Sequence, residues 1–336
     1  MSKPLRLGVF EYLRGGGLID CPLTDLPPSL MAEGSAMLLA LVEDLNGSGK
    51  CDVVYTVDPR IKDALQCRSG KHDCSTPWLE CWSKLGQECD LVIVIAPEFD
   101  SILESSVAEL RKQGCYVAVS DATYLSQSVD KWQTYQAWIS NNVATPPTSL
   151  ANAIHSTSDL RSLVSHTDLT HVGWTVKRRD GAGCWQHHRW TKEQDLLVHL
   201  DTLEDRAQWI VQPWIEGTAA STSWFYGTRS VPIGCCYQEI HCEGSCVDYR
   251  GSKLMELDEN TGIRIQNFSR RAIESLGGKP LGWIGIDWIQ TPTNQFVAVE
   301  VNPRLTTSYL ALRNAPCRDI ASLWIDLANT SLHRAF

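Results

Sequence analysis

Three residues, Asp287, Glu300 and Asn302, have the types and spacing that hold a hard divalent cation. Residues 283–290, then TPTN, then residues 295–302 read as two strands joined by a four-residue connection, with Pro and Asn as turn residues. Pairing Gln290 with Gln295 puts Asp287 opposite Ala298. Side chains alternate along a strand, so Ala298, Glu300 and Asn302 share a face, and Asp287 joins it. Asp287 then sits diagonal to Glu300, at a Cβ separation of roughly 7–8 Å. A one-residue slip would send it to the other face. Two carboxylates and an amide offer only oxygen, which selects Mg2+, with Mn2+ as the second candidate; Mg2+ completes its shell with water and phosphate oxygens. The same residues also fit the solvated face of an ordinary hairpin. Against that stand an opposite face made of Val297, Val299 and Val301, and a strand that runs into Arg304. A guanidinium there is suited to stabilising a transferring phosphoryl group or an acyl phosphate.

A second constellation is VKRRDGAG, residues 176–183, where Lys177 ends a strand and Asp180, Gly181, Ala182 and Gly183 form a short loop. Glycines let backbone N–H groups approach phosphate oxygens, and the lysine adds a fixed positive charge. There is no GxxxxGK[ST], so this is not a P-loop, and an ordinary turn reads the same way in isolation. In WIVQPWIEG, residues 209–217, an apolar strand leads to a hinge whose backbone and Gln212 can meet an adenine edge. A core strand followed by a turn explains it equally well.

The elements that must position these residues alternate in the first third. Strands are expected at residues 5–12, 52–57, 91–96 and 116–120, with helices at 31–45 and 101–113 between them. Such alternation implies a parallel sheet with helices on both faces. A helix at 130–141 ends before Pro146-Pro147. Then come a strand at 171–177, the glycine loop, a helix at 192–199 and a strand at 209–212. The last third reads as a larger mixed sheet, with strands near 221–226, 231–241, 283–290 and 295–301 and a helix over 263–276.

The chain has 336 residues, enough for two or three lobes with a shared core. A net charge of −9 excludes a broad nucleic-acid surface, though not a small basic nucleotide pocket. The longest apolar run, residues 91–97, is far short of the ~18–20 a membrane helix needs. The first residues, interrupted by Glu11, lack a signal-peptide pattern. A cytoplasmic protein is therefore expected, with no nucleic-acid or membrane partner and with a homodimer left open. The thirteen cysteines, an odd number, are expected as reduced thiols. Two loose groups, Cys67, His72, Cys74 and Cys81, and Cys235, Cys236, His241, Cys242 and Cys246, lack the paired spacing of a zinc site.

Taken in order, FEYLRGGGL, MAEGSAML, IAPEFDSIL, VDKWQTYQAWISNNVATPP, VKRRDGAG, VQPWIEG, GWIGIDW and EVNPRLTTSY resemble the ATP-grasp superfamily. The similarity is greatest to the branch containing archaeal tyramine–glutamate ligases of methanofuran biosynthesis. It spans almost the whole chain, and its last segment is the most specific. The fold this implies is α/β: an N-terminal Rossmann-like pre-ATP-grasp lobe (1–122), a central ATP-grasp subdomain with the glycine loop (123–214) and a C-terminal subdomain with the metal site (215–336). Two α+β subdomains would clamp ATP.

Carried over residue by residue, the resemblance implies that Lys131 and Lys177 contact ATP phosphates under a lid formed by Asp180, Gly181, Ala182 and Gly183. Gln212 would meet the adenine amino group, with Trp214 and Ile215 lining its slot. Asp287, Glu300 and Asn302 match the Mg2+ ligands, and Arg304 an arginine at the acyl phosphate. Thr306, Thr307 and Ser308 would lie near substrate. In the first lobe Glu11, Gly15, Gly16, Gly17 and Glu98 are candidate substrate contacts, or else turn and strand-end structure. The chain departs from the pattern twice. Where a ribose-binding acid is expected it has Thr218-Ala219-Ala220, with Glu216 as a substitute. Where an arginine precedes the metal Asp by two it has Gly285, which shifts charge stabilisation to Arg304 or Arg250.

The implied reaction is ATP-dependent ligation of a small-molecule carboxylate to an amine. It passes through an acyl phosphate and releases ADP and phosphate; glutamate and tyramine or tyrosine are the favoured pair. A small-molecule kinase, a non-catalytic nucleotide-binding regulator and a zinc-binding module are the alternatives.

Overall fold

The computed structural model describes residues 4–22, 24, 28–61, 70–73, 78–315 and 319–332. In chain order the elements are β1 (Arg6–Glu11), α1 (Pro28–Gly47), β2 (Asp52–Val57), β3 (Gly70–Asp73), α2 (Trp78–Glu88), β4 (Leu91–Ile95), α3 (Ile102–Lys112), α4 (Ala122–Val129) and α5 (Lys131–Ser140). They continue with β5 (Ser149–Leu150), α6 (Thr157–Val164), β6 (His171–Arg178), β7 (His188–Trp190), α7 (Glu193–Asp201), β8 (Trp209–Ile215), β9 (Thr218–Tyr226), β10 (Ser230–Glu243) and β11 (Cys246–Leu254). The chain closes with α8 (Glu259–Glu274), β12 (Gly282–Gln290), β13 (Phe296–Asn302), α9 (Ser308–Leu312) and α10 (Ile320–Leu332).

The first third forms the expected parallel sheet, in the order β3-β2-β1-β4. Its apolar strands are buried on both faces, as βαβ crossovers require. One face packs Phe10, Val54, Val92 and Val94 against Trp82 of α2 and Leu103 and Val107 of α3. The other packs Leu7, Val9, Val53 and Ile93 against α1, and the same core continues into Trp283, Tyr309 and Trp324 of the C-terminal third. Arg313 and Tyr309 both reach Asp44 of α1, so polar contacts join the two regions as well. The expected strand at 116–120 is reduced to a bridge between Val92 and Val117.

The second sheet has nine strands in the order β13-β12-β9-β10-β11-β7-β6-β8-β5. Every pairing in it is antiparallel, so the mixed sheet expected from sequence is corrected. A two-residue link explains part of this. Gly244 takes φ 60 between β10 and β11, where Glu243 pairs with Cys246, and such a tight turn can join only antiparallel strands. No described helix is long and apolar enough to cross a membrane.

Candidate active site

The β12–β13 hairpin departs from the expected register in two compensating ways. Gln290 pairs with Phe296, and the Thr291 N–H donates to the Gln295 carbonyl at 2.9 Å. The connection is thus the three residues Pro292, Thr293 and Asn294, with Asn294 at φ 61, a known three-residue hairpin form. That shift alone would set Asp287 opposite Val299. A β-bulge between Asp287 and Trp288 restores the site, so Asp287 directly faces Glu300 rather than Ala298. The bulge also corrects the face assignment. Ala298 packs in the core with Val301, Ile284 and Ile286, while Val299 and Glu300 both line a cavity of about 690 Å³.

Two lysines converge on Glu300. Lys177, near the end of β6, is 3.6 Å from its Oε2, and Lys131, the first residue of α5, is 3.4 Å away. Asp130 caps α5, accepting from Trp132 N–H and pairing with Arg179, which fixes where Lys131 begins. The Lys131 ammonium also donates to the Gly181 carbonyl at 2.5 Å, tying the glycine loop to this corner.

The electrostatics of the acid pair are unequal. Burial works to raise Glu300, but Lys131 and Lys177 outweigh it and hold the carboxyl at about 2. Asp287 is pushed up to about 7, by burial first and by Glu300 second, although Asn302 and Gln238 donate to it. Lys177 is lowered by burial and by Lys131 despite Glu300. A buried carboxylate opposed by a second one is stabilised by a cation between them. The oxygen donors of Asp287, Glu300 and Asn302 therefore fit a hard divalent ion.

The cavity gathers most of the other predicted residues. Gly181 and Gly183 of the loop line it, as do Gln212, Trp214 and Ile215 of β8. Gln212 is buried and donates its amide N–H to Thr148 Oγ1, leaving its carbonyl end as the group able to accept from an amine. Arg304, Thr306, Thr307 and Ser308 line the same space. Thr307 donates to the Tyr249 hydroxyl, and Ser308 lies 3.1 Å from Ser223 Oγ. Thr306 also explains the missing arginine: a Cβ at Gly285 would stand 3.0 Å from its methyl. Arg250 is exposed and away from the cavity, whereas Arg304 is in its wall.

Other predicted residues lie outside the wall. Glu216 is exposed, while Thr218 and Ala219 line the cavity beside it. Ala182 is buried, and Asp180 is turned to Arg178. In the first lobe Glu11 accepts the Arg14 N–H, and burial pushes its carboxyl up to about 7. A Cβ at Gly15 would lie 2.2 Å from the Glu11 carbonyl, and Gly16 has φ 95, so this glycine turn has a packing reason of its own. Gly17 follows it, bonded to the Tyr12 carbonyl. Glu98 grips Arg304 through two bonds, of 2.8 and 2.9 Å.

Several wall residues escaped the sequence reading. Gln238 and Tyr249 come from β10 and β11, and Glu33 from α1. His187 bonds Thr175 Oγ1 at 2.7 Å, and burial, then Lys177, lowers its imidazole to about 3. Arg189 stacks over Trp214 at 4.8 Å. The Gly244-Ser245 link was the available signal for β11 and its partners. The Cys235–Cys246 group forms no metal site: no group of three or more His, Cys, Asp or Glu is arranged for one among the described residues. The first Cys/His group falls on side chains outside the described ones.

The fold sets a parallel-sheet lobe beside a nine-stranded antiparallel sheet, and the site is a lysine-lined cavity of about 690 Å³. Residues 128–308 match an ATP-grasp domain and residues 51–123 a pre ATP-grasp 3 domain. The chain belongs to the ATP-grasp family. Among solved structures it is similar to an ATP-grasp superfamily protein from Archaeoglobus fulgidus, with TM-score 0.67, 20% identity and 96% and 88% of the two chains covered. It is also similar to D-alanine–D-alanine ligase from Bacillus anthracis complexed with ATP (TM-score 0.66, 13% identity, 99% and 98% covered). A third is L-amino acid ligase from Bacillus licheniformis (TM-score 0.67, 12% identity, 98% and 75% covered). No curated protein matches the sequence.

Proposed function

We propose that this chain joins a small-molecule carboxylate to an amine at the expense of ATP, with glutamate and an aromatic amine, tyramine or tyrosine, as the favoured pair. The observation that carries the reading is the Asp287–Glu300 pair facing Lys131 and Lys177 at one wall of the cavity, with Arg304 in the same wall. Asp287, Glu300 and Asn302 would hold Mg2+, or Mn2+, which supplies charge neutralisation between phosphates when bound. Lys131 and Lys177 orient and neutralise the phosphates, and the loop from Asp180 to Gly183 excludes water above them. Gln212, Trp214 and Ile215 take the adenine, with Arg189 stacked behind Trp214. Thr218 lines the cavity and Glu216 does not, which favours Thr218 as the ribose neighbour.

The substrate carboxylate attacks the γ-phosphorus, and the amine then displaces phosphate from the acyl phosphate. Arg304 is positioned by Glu98 to stabilise that charge. Half-buried Glu33 lines the cavity and has no hydrogen-bond partner among the described residues, which suits it to a substrate ammonium such as that of glutamate. Thr306, Thr307 and Ser308 complete this end. The division at 122 and 214 belongs to the same reading, with Glu33 as the first lobe's contribution to the cavity wall.

An ADP-release screen of carboxylates against amines, starting with glutamate plus tyramine or tyrosine, tests the proposal. Amide should form in step with ADP, and Asp287→Ala and Glu300→Ala should abolish both. Turnover persisting in both variants refutes the metal site, and ADP without amide makes the protein a kinase.

A further inference from the structure

The glycine loop is held against the first lobe by residues that have no part in the proposed chemistry. Between β4 and α3, Asp100 and Ser101 take successive left-handed conformations, φ 53 and 57, which non-glycine residues seldom do. That turn aims the Asp100 N–H at Asp180 Oδ2, 2.9 Å away, and its carboxylate at Arg178 Nη2, also 2.9 Å away. Arg178 is already forked onto Asp180 through its Nε and Nη2. Phe99 meets the far side of the loop, its ring 5.0 Å from that of Trp185, and Arg178 lies over the same indole at 5.4 Å. Trp185 lines the cavity next to Gly183 and Cys184. Both ends of the loop are therefore fastened, one by charge and one by aromatic contact.

We propose that Phe99 and Asp100 are positioning residues that latch the glycine loop onto the N-terminal lobe and thereby couple ATP use to amide formation. The latch itself stands on this geometry, while its role in coupling rests on the ligase reading above. With the loop lifted, water adds to the carbonyl carbon of the acyl phosphate. The acyl C–O bond breaks, phosphate leaves, and the carboxylate is regenerated with loss of a proton, so ATP is spent without product. Asp100 is 63% exposed, so its ion pair is weak. Weak contacts suit a latch that must open in every cycle to admit nucleotide and release product.

The test uses the full chain. Asn tolerates the left-handed conformation, so Phe99→Ala/Asp100→Asn removes the ring contact and the carboxylate charge while keeping the turn and its backbone N–H bond to Asp180. In the ligand-free protein, trypsin cleavage after Arg178 and Arg179, mapped by mass spectrometry, should rise by about fivefold or more. Asp100→Asn alone should raise it about twofold. The ratio of ADP to amide should climb from near one to about two or more in the double variant. Cleavage equally fast in the parent and the variant overturns the latch. Faster cleavage with an unchanged ratio overturns its role in coupling. If the parent forms no amide with any pair, the ligase reading fails, and the cleavage rates still decide on the latch.

Discussion

The two ends of the cavity were assembled from different kinds of sequence, and they behave differently. At the hairpin end, Asp287, Glu300 and Lys177 project from strands, and their positions follow from alternation and pairing. At the first-lobe end, Glu11 closes β1 and Gly15 to Gly17 form the turn after it, and their polar groups are taken up within that turn instead of opening to the cavity. A strand presents polar side chains cheaply because its backbone is already bonded in the ladder. A turn needs its polar groups and glycines for its own closure. Glu98 falls between these cases: it is buried, and it serves the cavity by holding Arg304.

The largest expected effect tests the hairpin end. Lys177→Met should lower ATP-dependent ADP release by roughly 100- to 1,000-fold, since a preorganised charge at the phosphates is lost. A loss under tenfold would move the phosphate site away from Glu300. The companion test concerns stability, not turnover. Burial raises Glu11 from its ordinary 4.5 to about 7, so the folded state holds this proton more tightly than the unfolded chain. The stability this contributes is full below about pH 4.5 and is lost as pH rises through 7. Glu11→Gln should flatten that decline by about 1–3 kcal/mol between pH 5 and 8, read from denaturant midpoints. An equal slope in the parent and the variant would mean that Glu11 is solvated, and so open to substrate after all.

How much of this was legible depends on what each residue had to know. The parallel sheet was readable from runs such as LVIVI, because a strand buried on both faces needs only local apolarity. The acid pair was found for a reason that proved incomplete. Alternation put Asp287 and Glu300 together, but the real register needs a three-residue loop and a bulge at Val299, neither of which has a residue signature strong enough to read. Lys131 carries no local sign of its role. It is aimed by the Asp130 cap and by the bond from its N–H to the Arg179 carbonyl, a contact across 48 residues of chain. Gln238 was hidden differently, in the long polar strand β10, whose exposed far half reads as surface.

The smallest expected effect belongs to Cys184, which lines the cavity within the field of Glu300 and Lys177. Its position invites a covalent role, with the substrate acyl group passing through a thioester. Burial first, and Glu300 second, push this thiol up to about 12, and Lys177 does not reverse them. At neutral pH it is therefore a thiol and not the thiolate that such chemistry requires. Its backbone, at φ 59, continues the glycine loop, and a serine there is close to it in size. Cys184→Ser should leave ADP release within about twofold of the parent, because nothing in the phosphate-centred route uses the sulfur. Alkylation of the parent by iodoacetamide should be slow at pH 7 and should quicken only as the pH approaches the raised value. Complete loss of turnover in a folded Cys184→Ser protein would place a nucleophile inside the lid and replace direct attack by the amine with a two-step acyl transfer.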